Sequence, residues 1–537
     1  MKPKVLIIGA GPVGLTLALT FGKFGVDCVV IERNDKTTQH PKMDITNGRS
    51  MEVFRMLGVA EEIYGASVPN DISLDVSWIH TLSSQEIYRF HYPSPNKARK
   101  VYKNKNDGTQ PMDPAVRISQ IVVEPLLRDR ALRSPHIEIL YGWQFAHFEQ
   151  NDARVITIIQ NSKTGKTKKI ESDYLAGCDG GNSKVRDQLG IGLTGEARVR
   201  KRYSIHFISR DKQTFEPFGP AWHYQSPVYG TLVSQDGIKR YTLHSYLLEN
   251  EDPGSVNPYD KVRAFVRKDF DFSLLKAIQW ENNLLVANSY RSERIFLAGD
   301  ATHQYIPTGG YGMNTGVGDA FDLGWKLSAV IKGWGGKKLL NSFEEERRPI
   351  AIRNREASKR HAETRIQIGE IWPNEIELNT PEGEKARKTL ASKIRKLGNA
   401  ENESLGIEIG YGYTGSSIII SSSEDVIQDN PLVYQPTTTP GYRPPAIYTG
   451  DGQPIFSLFG SGYTLLNFAP REIDTRIFEK YAQQINLPFK TVTINDEHAK
   501  SIYNTNLTII RPDQHIAWRG NNLPKNIGDI LKVISGY

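Results

Sequence analysis

Short apolar runs, each closed by a glycine or an acid, recur through the first 300 residues of the chain. Val5-Leu6-Ile7-Ile8 runs into Gly9, and Cys28-Val29-Val30-Ile31 stops at Glu32. Tyr174-Leu175-Ala176-Gly177-Cys178 stops at Asp179, and Ile295-Phe296-Leu297-Ala298 stops at Gly299-Asp300. Continuous runs of this kind predict strands buried on both faces, with helices between them. Helical spacing is read after Gly11, near Ser50–Leu57, over Val116–Leu132 and from about Val317. From about residue 195 to 285 the period shortens to two, as in Tyr203-Ser204-Ile205-His206-Phe207-Ile208 and Tyr241-Thr242-Leu243-His244-Ser245-Tyr246. That alternation predicts a sheet with one open face. Charged helices follow to about 400. The run Gln435–Pro445, rich in Pro and Thr, reads as an extended linker. Beyond it the pattern is strand, helix, strand, strand, strand, helix, ending at Ile527–Ile534.

The glycines give the first runs a chemistry. In Gly9-Ala10-Gly11-Pro12-Val13-Gly14, Gly9 makes the turn, Gly11 admits a pyrophosphate and Gly14 lets helix and strand pack closely. With 46 glycines in the chain, that spacing arises by chance about 0.3 times. The strand before it, the helix after it and the acid Glu32 at the right distance make it a dinucleotide site, with Glu32 taking ribose hydroxyls. Far along the chain, Gly299-Asp300 leads into Pro307-Thr308-Gly309-Gly310-Tyr311-Gly312-Met313-Asn314. A carboxylate at a strand end can hold a ribitol hydroxyl, and the glycines let main-chain N–H groups meet a flat, electron-rich ring. The two motifs together point to a flavin.

With these residues in view, the sequence resembles the single-component FAD-dependent aromatic hydroxylases, the class A flavoprotein monooxygenases, in their phenol-hydroxylase and polyketide-hydroxylase branch. Two further blocks carry the likeness: Asn47-Gly48-Arg49-Ser50-Met51-Glu52 and Asp179-Gly180-Gly181-Asn182-Ser183-Lys184-Val185-Arg186. After Asp300 come Gly318-Asp319-Ala320 and Ser342-Phe343-Glu344-Glu345-Glu346-Arg347-Arg348-Pro349 in the family's order. The resemblance implies an α/β fold: a Rossmann-like FAD-binding domain, an inserted mixed-sheet substrate domain and a C-terminal thioredoxin-like α/β domain. The FAD-binding parts are placed at 1–70, 110–190 and 283–400, and the substrate parts at 70–110 and 190–283. The thioredoxin-like part is placed at 430–537. That last part has no cysteine, so thiol–disulfide chemistry is excluded and a structural or assembly role is left. Because few contacts need cross the linker, deleting residues beyond about 430 is expected to leave flavin binding and reduction largely intact while altering stability or assembly, with the tail free to cover an apolar patch of the main body.

By the same resemblance, Gly9, Gly11, Val13, Gly14, Glu32 and Arg33 would hold the nucleotide half of FAD. Lys42 and Arg49 would contact flavin phosphate or the ring region, with Arg49 also counted as catalytic. Arg117 and Gln120, at i and i+3 on a helix start, would lie near the flavin on one face. Asp179 would serve FAD and the nicotinamide nucleotide. Gly299, Asp300, Gly310, Gly312, Met313 and Asn314 would cradle the ribityl chain and pyrimidine edge. The Pro307 carbonyl would face the reacting centre. Thr302-His303-Gln304-Tyr305-Ile306-Pro307 departs from the family's more frequent Ala-His with a proline pair.

The implied activity is NAD(P)H- and dioxygen-dependent hydroxylation of a small phenolic or polycyclic aromatic compound through a flavin C4a-hydroperoxide, with FAD held non-covalently. Baeyer–Villiger insertion, oxygenation that inactivates an antibiotic, and a flavoprotein without oxygenase turnover stay open as alternatives. A phenol titrates near pH 10, so it must lose or share its proton to react fast. His206, His223, Tyr224, His244 and Tyr246 are the candidates for that relay, with none preferred.

Composition changes the picture little. A chain of 537 residues is too long for one core. Its formal charge of +7 is dispersed, and clusters such as Lys97–Lys105 and Lys163–Lys169 read as solvated loops, not a nucleic-acid surface. Cys28 and Cys178 both fall in apolar strands as core thiols, so neither a disulfide framework nor a metal site is expected. No apolar run reaches membrane-spanning length, and the expectation is a cytoplasmic protein, with a homodimer allowed.

Overall fold

The four apolar runs line up as the sequence requires. In this computed structural model, which describes residues 3–247, 251, 255–421 and 427–537, Val5–Ile8 lies at the centre of a six-stranded sheet. Its order is Arg291–Ser292, Ile295–Leu297, Tyr174–Gly177, Val5–Ile8, Cys28–Glu32, Ile137–Tyr141, all parallel except the Arg291–Ser292 edge. Strands buried on both faces need no polar side, and Val5, Leu6, Ile7 and Cys28 are inaccessible to solvent. The helix Pro12–Phe24 covers one face together with the helix Tyr311–Ile331. The other face packs on a three-stranded antiparallel meander, Trp143–Gln150, Val155–Asn161 and Thr167–Ser172.

The alternating segment forms an eight-stranded mixed sheet. Leu193–Ile208 pairs antiparallel with Ser273–Ala287 on one side and Arg240–Tyr246 on the other. Gly230–Ser234, His223–Ser226, Val76–Ile79 and Glu86–Phe90 extend it. Tyr203, Ile205, Phe207, Tyr224, Tyr241 and Leu243 point to a core closed by the helix Pro258–Val266. The alternate residues Ser204, His206, Thr242 and His244 point the other way, because successive strand side chains face opposite sides.

The last hundred residues build a four-stranded sheet, Phe489–Thr493, Tyr463–Asn467, Leu507–Ile510 and Ile516–Gly520, flanked by helices Arg476–Gln484, Glu497–Tyr503 and Ile527–Ile534. Only the first pair is parallel. This unit is not hung on a loose tether. Tyr463, Leu465, Phe478 and Leu507 belong to the same buried cluster as the nucleotide-domain residues Leu15, Leu17, Trp325 and Trp334. The linker runs extended but buried: Gly441 donates its N–H to the Ile516 carbonyl, and Arg443 pairs with Glu52 across the domains. The expectation that few contacts cross here is therefore wrong. A proline-rich segment cannot join a sheet ladder, yet it lies flat in a groove as well as it spans open water.

Three local readings also differ. Pro95–Lys105 is a helix, not a solvated loop; Ser94 caps it by accepting the Lys97 N–H, and its lysines lie along the outer face. The helix expected from Val116 begins at Gln120, because Val116–Arg117 pairs as a short strand with Ile45–Thr46. The helix placed from about Val317 begins two turns earlier, at Tyr311, where Gly310 supplies the left-handed N-cap. Among the described residues, no helix is long and apolar enough to cross a membrane.

Candidate functional site

Two long helices begin on the same cleft without a side-chain cap. Gly11 precedes Pro12–Phe24, and Gly310 precedes Tyr311–Ile331. Their first N–H groups have no intrahelical partner, and the aligned peptide dipoles favour an anion at each start. A Cβ on Gly11 or Gly312 would meet nothing within 4 Å, so both face open space. Gly9 and Gly14 are glycines for the opposite reason. A Cβ on Gly9, at φ +105°, would come 2.4 Å from the Cys178 carbonyl oxygen, and one on Gly14 would come 2.0 Å from the Gly9 oxygen.

Glu32 closes the far end of this turn. Its carboxylate accepts the Ala10 N–H at 3.0 Å and the Asn34 N–H at 2.9 Å, and remains half-buried. Arg33 beside it is exposed. Asp179 accepts the Lys184 N–H at 2.8 Å with one oxygen, while its other oxygen is buried without a partner. Burial pushes that carboxyl up.

Val13 joins the two ends of the chain, since a Cβ on Gly299 would meet its side chain at 2.9 Å. The Gly299 N–H donates to Asp319 Oδ2 at 3.2 Å, which also meets His303 Nε2 at 2.8 Å. Asp300 next to them keeps open surface among densely packed protein, as a residue on a cleft wall does. Burial raises its carboxyl, and His303 and Lys42 pull it back. Lys42 is thus near Asp300. Asn314 ties the second helix to the first domain, accepting the Asn47 N–H at 3.1 Å and donating to the Ile45 and Gly310 carbonyls at 3.1 and 2.7 Å. The Pro307 carbonyl accepts the Gly310 N–H at 2.9 Å, fixing the turn. Met313 is half-buried on the first turn of that helix.

Two of the expected residues do other work. Arg49 is buried, but its guanidinium donates to Glu52 at 3.0 Å, to Gln514 Oε1 at 2.9 Å and to the Asp513 carbonyl at 2.5 Å. These bonds tie the Arg49 guanidinium to its own helix and to the C-terminal unit, which is not the catalytic or flavin-contact role expected of it. Arg117 and Gln120 do not share a helix face, because Arg117 belongs to the short strand. The Arg117 guanidinium pairs with Asp44 at 3.3 Å, donates to the Ser234 carbonyl and lies over Trp222, at the seam with the substrate sheet. Its Nε and Nη1 are buried without a partner. Gln120 donates to Glu124 at 3.0 Å, and Glu124 accepts the Thr38 N–H.

The open face of the large sheet carries His206, His223, His244 and Tyr246; Tyr224 faces the opposite core, with its hydroxyl on the Gly219 carbonyl. His206 Nδ1 lies 3.1 Å from Thr242 Oγ1, and His244 Nδ1 lies 2.8 Å from Ser204 Oγ. His40, which the sequence reading passed over, completes the array. It feels Lys42 and His206, and His244 feels it in turn. Burial is the largest cause that lowers His40 to about 4 and His244 to about 3, and it lowers His206 and His223 as well. All four are neutral at pH 7, able to accept or pass a proton. Asp319 was also missed as a hub, although Gly318-Asp319-Ala320 stood out in the sequence. Its signal was an acid inside an otherwise apolar helical stretch.

A cleft with an acid at one end, two anion-seeking helix starts and a second carboxylate between them fits FAD: ribose at Glu32, pyrophosphate at Gly11, ribityl chain at Asp300, pyrimidine edge at Gly310–Asn314. The comparisons agree. A model of the FAD binding domain family matches residues 2–358. The chain is similar to the FAD-dependent monooxygenase apdD of Emericella nidulans, 34% identical over 97% of this chain and 88% of the relative. It is also similar to a phenol 2-monooxygenase of a Pseudomonas species, 25% identical over 97% of this chain and 90% of that one. Among solved structures, the rebeccamycin biosynthetic enzyme RebC with reduced flavin matches at a TM-score of 0.90 and 30% identity, covering 99% of both chains.

Proposed function

The chain belongs to the FAD binding domain family and its relatives are FAD-dependent monooxygenases; from that premise we propose that it hydroxylates a phenolic or polycyclic aromatic compound, with NAD(P)H as electron donor and dioxygen as oxidant. The observation that carries this reading is the position of the histidine face. His303–Gln304, just past Asp300, forms the edge strand of the large sheet, and His206, His223 and His244 line the open face of that same sheet.

The chemistry that FAD would supply here is acceptance of hydride from the nicotinamide and passage of electrons to dioxygen. The chain's residues bind, orient and dry the site. Glu32 and the Gly11 turn would hold the nucleotide, Asp300 the ribityl hydroxyls, and the Gly312 and Met313 N–H groups the ring edge. A phenol seated against the sheet shares its proton in a hydrogen bond to the neutral imidazole of His206, His223 or His244, which burial keeps as acceptors and not as proton takers. Trp222 and Trp280 supply apolar wall, Trp222 through its contact with Arg117 and Trp280 through its edge contact with His244.

The test is a panel of phenols and polycyclic aromatics scored for stimulation of NADH and NADPH oxidation, with mass analysis of products formed under labelled dioxygen. One labelled oxygen on the ring supports the proposal. Insertion next to a carbonyl would favour the Baeyer–Villiger alternative, and oxidation without product would leave a flavoprotein that does not oxygenate. FAD held non-covalently is released in full by acid precipitation.

A further inference from the structure

We propose that Arg511, in the C-terminal unit, is a positioning residue for the flavin site, acting through two helices on the Gly299–Asp300 loop. The proposal rests on the FAD reading above.

Arg511 stands at the start of the turn joining Leu507–Ile510 to Ile516–Gly520. That turn is bent inward, with Gln514 at φ 63°, a left-handed conformation unusual for glutamine. It delivers a buried guanidinium to the seam between the helices Tyr311–Ile331 and Lys338–Glu370. Arg511 binds both oxygens of Glu346 at 2.6 and 2.8 Å, Asp322 at 3.3 Å and its own neighbour Asp513 at 2.7 Å. Lys326 meets the same pair of acids at 2.6 and 2.8 Å. Three carboxylates with ligand atoms within 4.8 Å of one another are thus held together by two cations. The space a metal ion would need is taken by Arg511 and Lys326.

The next residues on both helices reach the flavin loop. Arg347 follows Glu346 and meets Asp319 at 2.8 Å; Asp319 lies one turn before Asp322. The other oxygen of Asp319 holds the Gly299 N–H and His303. Arg347 also donates to the Thr315 carbonyl at 3.1 Å, within the first turns of the helix whose start faces the ring edge. Tyr413 stitches the two layers, accepting from Arg347 at 3.1 Å while Arg511 lies over its ring. From the tail to Gly299, the steps are buried ion pairs and hydrogen bonds, joined through the adjacent residues Glu346 and Arg347.

Without Arg511, Asp322 and Glu346 would share the single ammonium of Lys326, with the Ser416 hydroxyl left on Glu346 and the His515 N–H on Asp513. Repulsion in a low-dielectric interior would part the helices or force proton uptake, and either shifts Asp319 and the loop it holds. Lysine cannot replace the arginine fully, because one ammonium does not span both Glu346 oxygens and Asp322 in a planar fork.

The experiment compares full-length wild type with Arg511→Gln, Arg511→Lys, the double variant Arg511→Gln/Glu346→Gln, and Tyr463→Phe. Tyr463→Phe removes only a hydroxyl bond to the Ile534 carbonyl within the tail and serves as the purely structural control. FAD dissociation constants, the visible circular dichroism of bound flavin, and apo-protein melting are measured for each. Arg511→Gln is expected to weaken FAD about tenfold or more and to change the bound-flavin spectrum. Arg511→Lys should fall between it and wild type and covers the case in which Arg511→Gln does not fold. The double variant should recover part of the affinity by removing the orphaned charge. Unchanged affinity and spectrum in a folded Arg511→Gln or Arg511→Lys would overturn the proposal. So would an equal loss in Tyr463→Phe at matched melting temperature. Wild type that binds no FAD would overturn the FAD reading itself, a result distinct from these.

Discussion

Gly299 and Val13, nearly three hundred residues apart, touch so closely that a methyl group between them has no room: a Cβ on Gly299 would lie 2.9 Å from Val13 Cγ2. Gly299 also sits at φ +67°, where any side chain is strained. The dinucleotide turn and the ribityl loop are therefore pressed into one surface, and neither can move alone.

Gly299→Ala is expected to cost about 1–3 kcal/mol from backbone strain and overlap together. The loss should appear as a lower melting temperature and as FAD binding weakened roughly tenfold or more. Adding Val13→Ala relieves the overlap and not the backbone, so the double variant should recover only part. Full recovery would mean that φ at Gly299 carries no strain.

Glu32→Ala should weaken FAD by about ten- to a hundredfold, the worth of roughly 1.5–3 kcal/mol for hydrogen bonds to a charged group. The Glu32 carboxylate also holds the Ala10 N–H inside the glycine turn, so its loss loosens the turn as well as the ribose contact. Glu32→Gln keeps an acceptor oxygen for Ala10 and should retain more affinity than Glu32→Ala. Flavin reduction in FAD-saturated enzyme should stay near wild type in both, as checked by stopped flow.

Removing residues 435–537 should abolish folded, FAD-binding protein. The cut would uncover Trp325 and Trp334 where they pack on Tyr463. It would also strip Arg443 from Glu52 and Arg511 from Glu346, leaving buried carboxylates with fewer partners. Losing one partner of a buried pair costs about 3–5 kcal/mol, and two such pairs are comparable with a whole domain's stability. Sizing and flavin absorbance of the truncated protein decide it; a monodisperse yellow product would contradict the shared core.

Much of this fold was legible in the chain because its signals are local. The strands ending at Gly9, Glu32, Asp179 and Gly299, the alternation around His206 and His244, and the four strands of the tail each show within a dozen residues, whereas the tail's helix Glu497–Tyr503 was missed. What could not be read is long-range. Arg49 sits in a flavin-family block, yet its partners Asp513 and Gln514 lie more than 460 residues away. Nothing in the sequence ties Arg511 to Glu346, or marks the proline-rich linker as a buried strap. The helix start at Tyr311 was missed because glycines, which usually weaken a helix, here cap it at Gly310 and open its first turn at Gly312. Arg117 looked helical by spacing, but pairing with Ile45 won over propensity.

The pH dependence of stability should have two arms of opposite sign. His40 and His244 are depressed to about 4 and about 3, with burial the main cause. Their stabilising contribution is complete above pH 6.5 and is lost as pH falls toward those values, because the unfolded chain takes up protons first. Glu408 behaves in reverse. It borders a small cavity of about 20 Å³ beside Arg49, Asn354 and Tyr411, and burial raises it to about 7 from 4.5. The folded state keeps the Glu408 proton where the unfolded chain has lost it, so stability is full below about pH 4.5 and falls as pH rises to about 7. Because Glu408 is only half-buried, the loss is set at about 1–3 kcal/mol. Glu408→Gln stays neutral at every pH. It should match wild type in thermal melts at pH 5 and exceed it at pH 8 by that amount, with the acid-side loss unchanged. Equal melting of the two proteins at pH 8 would show that the Glu408 carboxylate is solvated in the native state.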